Sequence, residues 1–153
     1  MNLDITKGDI LDQKSDVIVN SWNRNIFPWW LLIPQGVSGA IRKKAGIDPF
    51  RELSKMGLIP LGKAVLTGAG KLDYKGIIHV AGINLLWTGT EYSIRNSVVN
   101  AMKIAEEKGF KSIAFPVIGS GSGRFKPEVA SRIMIEEFDK IDFEGNVVLV
   151  QFE

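Results

Sequence analysis

Residues 16–21 read DVIVNS, and this stretch decides the fold class. Its central Val-Ile-Val run makes both faces of a strand apolar, which does not suit a sheet with one face in water. A strand of this kind is typical of a mostly parallel sheet with helices on both sides. The run therefore predicts an α/β protein.

The rest of the chain alternates between strand-like and helix-like apolar periodicity, without internal repeats. Further strands are predicted at residues 3–6, 63–67, 76–81, 112–118 and 146–152, and helices at residues 39–46, 48–57, 91–108 and 127–141. About six strands joined by helical crossovers imply a three-layer α/β/α sandwich with a mixed, mostly parallel central sheet. Its 153 residues indicate a single domain over residues 1–153.

Local signals predict where the first helices begin and end. Ser38 is expected to cap the first helix, which ends near Gly46. The second has Asp48 as its expected cap, Pro49 in its first turn and Gly57 as its stop.

Composition excludes several classes of function. Nineteen Lys and Arg against 17 Asp and Glu leave a net charge of +2, and the basic residues are scattered, so the sequence gives no strong sign of direct nucleic-acid binding. The chain has no cysteine and one histidine, so we expect no metal site and no cofactor. The N-terminal sequence MNLDITKGDI does not resemble a signal peptide, which favours a cytoplasmic location.

The most apolar segment, FPWWLLIP at residues 27–34, has proline at its second and last positions. A membrane-spanning helix needs about 20 apolar residues, so this segment cannot cross a bilayer. We therefore expect no membrane partner.

Residues 119–123 read GSGSG and lie between a predicted buried strand and a predicted helix. Backbone N–H groups of such a loop can converge on an anion, and the helix dipole adds to the attraction. This context favours phosphate binding over a flexible surface turn. A Rossmann signature would need glycine where Arg124 stands, and a P-loop reading of GLIPLGKA (57–64) fails because a strand follows and the final Ser/Thr is missing.

Five polar residues bear on possible chemistry. Asn20 and Asn23 offer both donors and an acceptor, which suits sugar hydroxyls and an attacking water, although Asx turns account for one of them equally well. Asn25 is assigned to such a turn. Asp9 is either a turn residue or an acceptor for an exocyclic amine. His79, inside an apolar strand, is predicted to be a packed histidine without a catalytic role.

Six blocks of this sequence, in the same order, resemble the macro domain family, whose members bind ADP-ribose and in many cases remove it from modified proteins or nucleic acids. The blocks are GDI (8–10), IVNSWN (18–23), GVSGAI (36–41), PLGKAVLT (60–67), IIHVAG (77–82) and SIAFPVIGSGSGRF (112–125). The resemblance covers nearly the whole chain. It implies ADP-ribose or an ADP-ribosylated target as the partner.

The resemblance also implies roles for particular residues. Asp9 takes the adenine amine with help from the Ile10 backbone, and Asn23 holds the distal ribose on a loop supported by Asn20. Phe125 lies by the distal ribose and Phe152 packs on the adenine. Two turns wrap the diphosphate, one formed by Gly36, Val37, Ser38 and Gly39 and the other by Gly119, Ser120, Gly121, Ser122, Gly123 and Arg124.

Two departures from the family pattern bear on activity. Many hydrolytic members carry aspartate where this chain has Ser38, and a serine cannot act as a carboxylate. Other active members lack that aspartate, rely on the equivalent of Asn23 and let the substrate's own phosphate help to activate water. A third branch needs an aspartate in the late glycine loop, and GSGSG has none. An ADP-ribosyl hydrolase, similar to O-acetyl-ADP-ribose deacetylases, is favoured; a non-catalytic ADP-ribose reader is the alternative.

The second departure is the segment at residues 27–34, which is an insertion relative to typical members. One hypothesis is that it forms a flap over the distal ribose, where Trp29 or Trp30 stacks on a base or a linked side chain. The alternative is that both tryptophans pack on the domain or on a second subunit.

Overall fold

The computed structural model describes residues 1–22, 24–25, 36–82, 89–120 and 125–151, and it confirms the predicted α/β sandwich. A short 3-10 turn, Ile10–Asp12, follows the first strand. The strands are β1 (Asn2–Lys7), β2 (Val17–Trp22), β3 (Ala64–Thr67), β4 (Gly76–Ala81), β5 (Ser112–Pro116) and β6 (Asn146–Gln151). The α-helices of the described residues are α1 (Gly36–Ala45), α2 (Asp48–Ser54), α3 (Glu91–Glu107) and α4 (Pro127–Phe138).

The strands form a single sheet in the order β1-β6-β5-β2-β4-β3. Each neighbouring pair is parallel except β3 with β4, which is antiparallel. The prediction of a mixed, mostly parallel sheet is therefore confirmed. Because five strands run in one direction, their carboxyl ends lie at one edge of the sheet, which we call the carboxyl edge.

Two apolar cores cover the opposite faces of the sheet. Val17 and Val19 belong to the core beneath α3 and α4, whereas Ile18 belongs to the core beneath α1 and α2. All three side chains are fully buried. The apolar run that predicted burial on both faces of β2 is thus explained by a helical layer on each side.

The sheet divides between β2 and β5 towards the carboxyl edge. These strands are paired only as far as Ile18 and Ala114. Beyond that pair, β2 stays in register with β4 up to Trp22, and β5 stays in register with β6 up to Pro116. The two halves of the sheet therefore separate where the chain leaves β2 and β5.

The chain leaves these two strands in opposite directions. From β2 it passes through α1 and α2 on one face to β3 and β4, whereas from β5 it passes through α4 on the other face to β6. Neighbouring parallel strands with diverging crossovers form a topological switch point, and ligands of open α/β sheets bind in the crevice there. The fold therefore favours a ligand between the ends of β2 and β5.

Helix α1 runs antiparallel to β2. The carbonyl oxygen of its last residue, Ala45, accepts a hydrogen bond of 2.9 Å from Lys71 N–H, in the segment that leads into β4. In the same segment, Lys75 N–H donates to the carbonyl oxygen of Asp16 at 2.7 Å, directly before β2. The last turn of α1 is therefore at the amino end of β2, so its first turn lies towards the carboxyl edge.

The two predicted helix caps are wrong. Helix α1 begins at Gly36, so Ser38 already has a helical backbone and cannot take the extended conformation that a capping residue needs. Helix α2 begins at Asp48, and Ile47 occupies the cap position without a side-chain bond. Asp48 still stabilises α2, because a carboxylate in the first turn interacts favourably with the helix dipole.

The ends of several elements differ from the prediction by a few residues. Gly46 and Gly109 end α1 and α3 as expected, with φ angles of 84° and 72°. Helix α2 stops at Ser54, before Gly57, and α4 stops at Phe138 rather than at residue 141. Strand β5 ends at residue 116 rather than 118. None of the described helices is long and apolar enough to cross a bilayer.

We predict that Gly70→Ala destabilises the fold more than Gly57→Ala does. Both glycines have positive φ angles, 59° and 74°, so alanine is strained by about 1 kcal/mol at either position. At Gly57 the added Cβ meets no atom within 4 Å, whereas at Gly70 it collides with the carbonyl oxygen of Ala45 and comes within 3.0 Å of Pro49. Urea unfolding of both variants measures the difference, and equal losses would contradict the packing of α1 described above.

Candidate ligand-binding site

The candidate residues that the structure describes gather along the carboxyl edge. Each belongs to a turn after a parallel strand, to the end of β2 or to the first turn of α1. They are Asp9 and Ile10 after β1, Asn20 within β2, Gly36, Val37, Ser38 and Gly39 at the start of α1, and Gly119, Ser120 and Phe125 after β5. The end of β2, the start of α1 and the described part of the turn after β5 therefore lie on the same side of the molecule.

The other candidates lie outside the described residues. They are Asn23, Gly121, Ser122, Gly123, Arg124 and Phe152. The proposed flap at residues 27–34, with Trp29 and Trp30, also lies outside the described residues.

The chain around position 23 is anchored on both sides. Trp22 is buried, and its indole N–H donates to the Asn25 side-chain oxygen at 2.6 Å. The Asn25 amide donates to the carbonyl oxygens of Leu53 and Gly57 at 2.7 and 2.9 Å. Asn25 therefore ties the end of β2 to the end of α2 and the segment after it. These contacts are not those of the Asx turn predicted for Asn25.

Gly119 determines the backbone conformation of the turn after β5. Its φ angle is 85°, and its carbonyl oxygen accepts a hydrogen bond of 2.8 Å from Phe125 N–H, which holds Phe125 close to Gly119. A Cβ at Gly119 would lie 3.0 Å from Ile94 of α3, and a Cβ at Gly89 would lie 2.8 Å from the Gly119 Cα. The backbone at Gly89, just before α3, therefore packs directly against the backbone at Gly119, with no side chain between them.

The start of α3 is tied to the end of β4. Thr90 caps α3 in a capping box with Ser93, whose backbone N–H donates to Thr90 Oγ1 at 3.0 Å. The Ser93 hydroxyl also lies 3.0 Å from the carbonyl oxygen of Gly82. These contacts fix the position of Gly89, and with it the backbone that supports Gly119.

The turn after β1 presents a carboxylate. Asp9 is exposed, and its Oδ1 accepts a hydrogen bond of 2.9 Å from Leu11 N–H, which holds the side chain in one orientation. Ile10 is buried in the core beneath α1. The turn begins at Gly8, whose N–H donates to the carbonyl oxygen of Gln151 at the end of β6. Asp9 is thus held at the carboxyl edge with capacity to accept a further donor.

A buried chain of hydrogen bonds holds the Asn20 side chain. Thr67 Oγ1 lies 2.9 Å from the carbonyl oxygen of Gly68 and 2.8 Å from His79 Nε2, and Asn20 Nδ2 lies 3.1 Å from His79 Nδ1. If the hydroxyl donates to the carbonyl, Nε2 carries the proton and Nδ1 accepts from Asn20. The amide orientation of Asn20 follows from this tautomer.

Burial keeps His79 neutral. Its side chain is fully enclosed and packs edge-on to Phe50 at 5.8 Å, and this desolvation lowers the pKa of His79 to about 3. The prediction of a packed histidine with satisfied hydrogen bonds is confirmed. Within the part of the chain that the structure describes, no cluster of His, Asp or Glu side chains could hold a metal ion.

The sequence model described as "Macro domain" matches residues 19–134, which include the last four residues of β2, the start of α1 and the turn after β5. The chain belongs to the macro domain family. The matched region contains both turns that the switch point brings to one edge, so the family assignment and the geometry concern the same part of the molecule.

Curated relatives span most of this macro domain. A macro domain-containing protein of Caldanaerobacter subterraneus is 37% identical over 139 residues, covering 86% of this chain and 75% of the relative. The O-acetyl-ADP-ribose deacetylase of Escherichia fergusonii is 34% identical over 140 residues, covering 86% of this chain and 75% of that enzyme.

Solved macrodomains of Oceanobacillus iheyensis have the same fold. A variant solved with ADPR superposes with a TM-score of 0.87 at 28% identity, covering 99% of this chain and 85% of the other. The same macrodomain with ADP gives 0.83 at 29% identity, covering 95% and 80%.

Ser38 gives this macro domain a hydroxyl in the first turn of α1. Its Oγ is buried and has no hydrogen-bond partner among the described residues. The first N–H groups of an α-helix lack partners within the helix and carry a partial positive charge, so this turn suits an anion.

The sequence did not single out Thr67 or Gly89. Thr67 acts on Asn20 only through His79, a contact that exists because β3 and β4 are paired. Gly89 precedes Thr90, and a Thr-x-x-Ser pattern before an apolar helix is a recognisable capping signal. The close approach of Gly89 to Gly119 follows from tertiary packing and has no counterpart in the sequence.

We predict that the stability of the fold decreases as the pH falls below 6.5. The unfolded chain takes up a proton on its imidazole near the ordinary pKa of 6.5, whereas folded His79 does so only near pH 3. Unfolding is therefore favoured by acid, by about 1 kcal/mol between pH 7 and pH 5.5. Urea unfolding at several pH values measures this slope.

His79→Gln is the control, because it removes the only histidine. The variant should be less stable but have a flatter pH dependence over the same range. An NMR signal of His79 that titrates near pH 6.5 in the folded protein would contradict a buried, neutral imidazole.

Proposed function

We propose that this macro domain binds ADP-ribose and hydrolyses it from a modified target. The observation that carries the proposal is the convergence of three candidate segments on the carboxyl edge at the switch point, namely the turn after β1, the first turn of α1 and the turn after β5. The related macrodomain solved with ADPR supports the choice of ligand.

In the proposed complex, the adenine lies at the turn after β1. Asp9 has one carboxylate oxygen bonded to Leu11 N–H, so the second oxygen accepts from the adenine amine, and the Ile10 backbone assists. The turn packs beside β5 in the core beneath α1, so the adenine end of the ligand is adjacent to the crevice.

The diphosphate lies between the start of α1 and the turn after β5. Helix α1 contributes unpaired N–H groups and the positive end of its dipole. The Gly119 turn contributes backbone without side chains that would block close approach, and Gly121, Ser122, Gly123 and Arg124 continue it. Gly89 supports this turn from below, because it contacts the Gly119 backbone.

The distal ribose lies at the end of β2, beside Phe125. Asn23 holds its hydroxyls and the attacking water. The water's oxygen bonds to the electrophilic carbon of the linkage, the bond from that carbon to the leaving atom breaks with its electron pair going to the leaving atom, and the water's proton passes to the substrate's own phosphate. Asn20 acts indirectly, because it is fully buried and its amide is held by His79. The Trp22–Asn25 contact restricts the chain on either side of Asn23.

The relative from Escherichia fergusonii, an O-acetyl-ADP-ribose deacetylase, favours hydrolysis as the activity. Ser38 favours the second candidate, a reader that binds ADP-ribose without cleaving it, because a hydroxyl in the first turn of α1 cannot replace a carboxylate as a base. Asn23 and the substrate phosphate supply the means of activating water in the hydrolase proposal.

Asp9→Ala should weaken ADP-ribose binding. Removing a charged acceptor leaves the adenine amine without this hydrogen bond and costs roughly 1–3 kcal/mol, which isothermal titration calorimetry resolves readily. Asp4→Ala is the matched control, since Asp4 is an exposed carboxylate on β1 away from the turn. Unchanged affinity of the Asp9 variant would refute the adenine contact.

Asn23→Ala should lower turnover more than binding if the domain is a hydrolase. The assay incubates an ADP-ribosylated protein or O-acetyl-ADP-ribose with the domain and measures product release, while calorimetry measures affinity for ADP-ribose. Asn96→Ala, within α3, controls for loss of an asparagine elsewhere. No release over hours by a protein that binds ADP-ribose would leave only the reader.

A further inference from the structure

Tyr74 contacts the turn after β1, which is the proposed adenine site, from a distant part of the chain. It lies between β3 and β4, and its hydroxyl contacts three backbone carbonyl oxygens that follow β1. The hydroxyl oxygen is 2.8 Å from the carbonyl oxygen of Gln13, 3.2 Å from that of Leu11 and 3.4 Å from that of Ile10.

A single phenol proton serves this group of carbonyls. The phenol donates its strongest hydrogen bond to the nearest oxygen, that of Gln13. The other two carbonyl oxygens lie farther from the same hydroxyl. An ionised phenolate could not donate at all. Burial, followed by the charges of Asp12, Asp9 and Asp73, raises the pKa of Tyr74 above its ordinary value, so the phenol remains a donor throughout the neutral range.

The carbonyls that Tyr74 contacts belong to the same turn that orients Asp9. Within it, Gln13 N–H donates to the carbonyl oxygen of Ile10 at 3.2 Å, and Asp12 N–H donates to that of Asp9 at 3.1 Å. Leu11 N–H fixes the Asp9 carboxylate at 2.9 Å. Tyr74 therefore holds the backbone whose N–H holds the carboxylate.

We propose that Tyr74 is a positioning residue for purine recognition, and that its hydroxyl sets the selectivity for a 6-amino purine over a 6-oxo purine. The inference rests on the proposed function, in which Asp9 accepts the adenine amine. With the turn clamped, the free oxygen of Asp9 has a defined direction, and a 6-oxo purine places an acceptor against it. Without the clamp, the carboxylate can turn away and the penalty against the 6-oxo purine decreases.

The chain offers a matched pair of variants, because it contains only two tyrosines. Tyr74→Phe removes the donor and leaves the ring packed in the core beneath α1. Tyr92→Phe removes a hydroxyl from an exposed side chain on α3, away from this turn. The two variants lose the same atom and differ only in its surroundings.

The experiment measures the affinities of ADP-ribose and inosine diphosphate ribose by calorimetry for the full chain and both variants. The unmodified chain should prefer ADP-ribose, and Tyr74→Phe should reduce that preference by roughly 3- to 10-fold, the effect of one lost hydrogen bond. Tyr92→Phe should leave it unchanged. In an Asp9→Ala background, Tyr74→Phe should have no further effect on the preference, because the two residues act through one contact.

Two results would overturn the inference. One is an equal loss of affinity for both ligands in Tyr74→Phe, which a purely structural role would produce. The other is a chain that binds ADP-ribose without preferring it over the inosine analogue. A chain that binds neither ligand refutes the proposed function itself, so the two failures are distinguishable.

A second measurement covers the case in which Tyr74→Phe does not fold. Difluorotyrosine ionises at lower pH than tyrosine, and incorporated into the Tyr92→Phe chain it labels position 74 alone. The preference for ADP-ribose should then decrease as the pH rises through the ionisation of that phenol, which ultraviolet absorbance follows directly. A preference that stays constant through this ionisation would overturn the inference.

Discussion

The separation of β2 from β5 is the constraint on which the rest of the molecule depends. Each strand remains paired with its outer neighbour to its end, so both halves of the sheet keep their backbone hydrogen bonds while the middle opens. Where β2 and β5 separate, polar side chains lie directly beside the apolar core. Asn20 is the clearest case: it is fully buried, its amide nitrogen is bonded to His79 of the adjacent strand β4, and Thr67 of β3 holds that histidine. Its side-chain oxygen has no partner among the described residues, so one half of a buried amide is satisfied and the other is not.

Most of the fold could be predicted from the sequence because its signals are local. The DVIVNS run specifies burial on both faces wherever the strand lies, and a glycine after a helix allows the left-handed conformation without help from distant residues. The two cap predictions were wrong because local sequence does not by itself specify a cap. Ser38 and Asp48 are residue types that suit a cap or a first turn equally, and the choice between them depends on how the preceding segment packs. Strand order is likewise a property of long-range pairing.

The site divides along the same line. The residues proposed to contact the ligand could be suggested from the sequence, because Asp9, the two asparagines and the glycine loop lie at or directly after the ends of predicted strands. Its supports could not. Thr67 acts through a histidine on the neighbouring strand, and Tyr74 contacts a carbonyl 61 positions away in the sequence. Both are ordinary residues in ordinary loops or strands, and only the folded chain gives them their partners.

The absence of a carboxylate at position 38 bears on which linkage the proposed hydrolase can cut. Ser38 supplies a hydroxyl, and the only histidine is buried and neutral, so neither can take a proton from water near pH 7. Cleaving an ester between a carboxylate side chain and the anomeric carbon releases a carboxylate, which departs without a proton. Cleaving an arginine linkage requires protonation of the leaving nitrogen. A site that works by orientation and by the substrate's own phosphate is therefore better matched to ester-linked ADP-ribose.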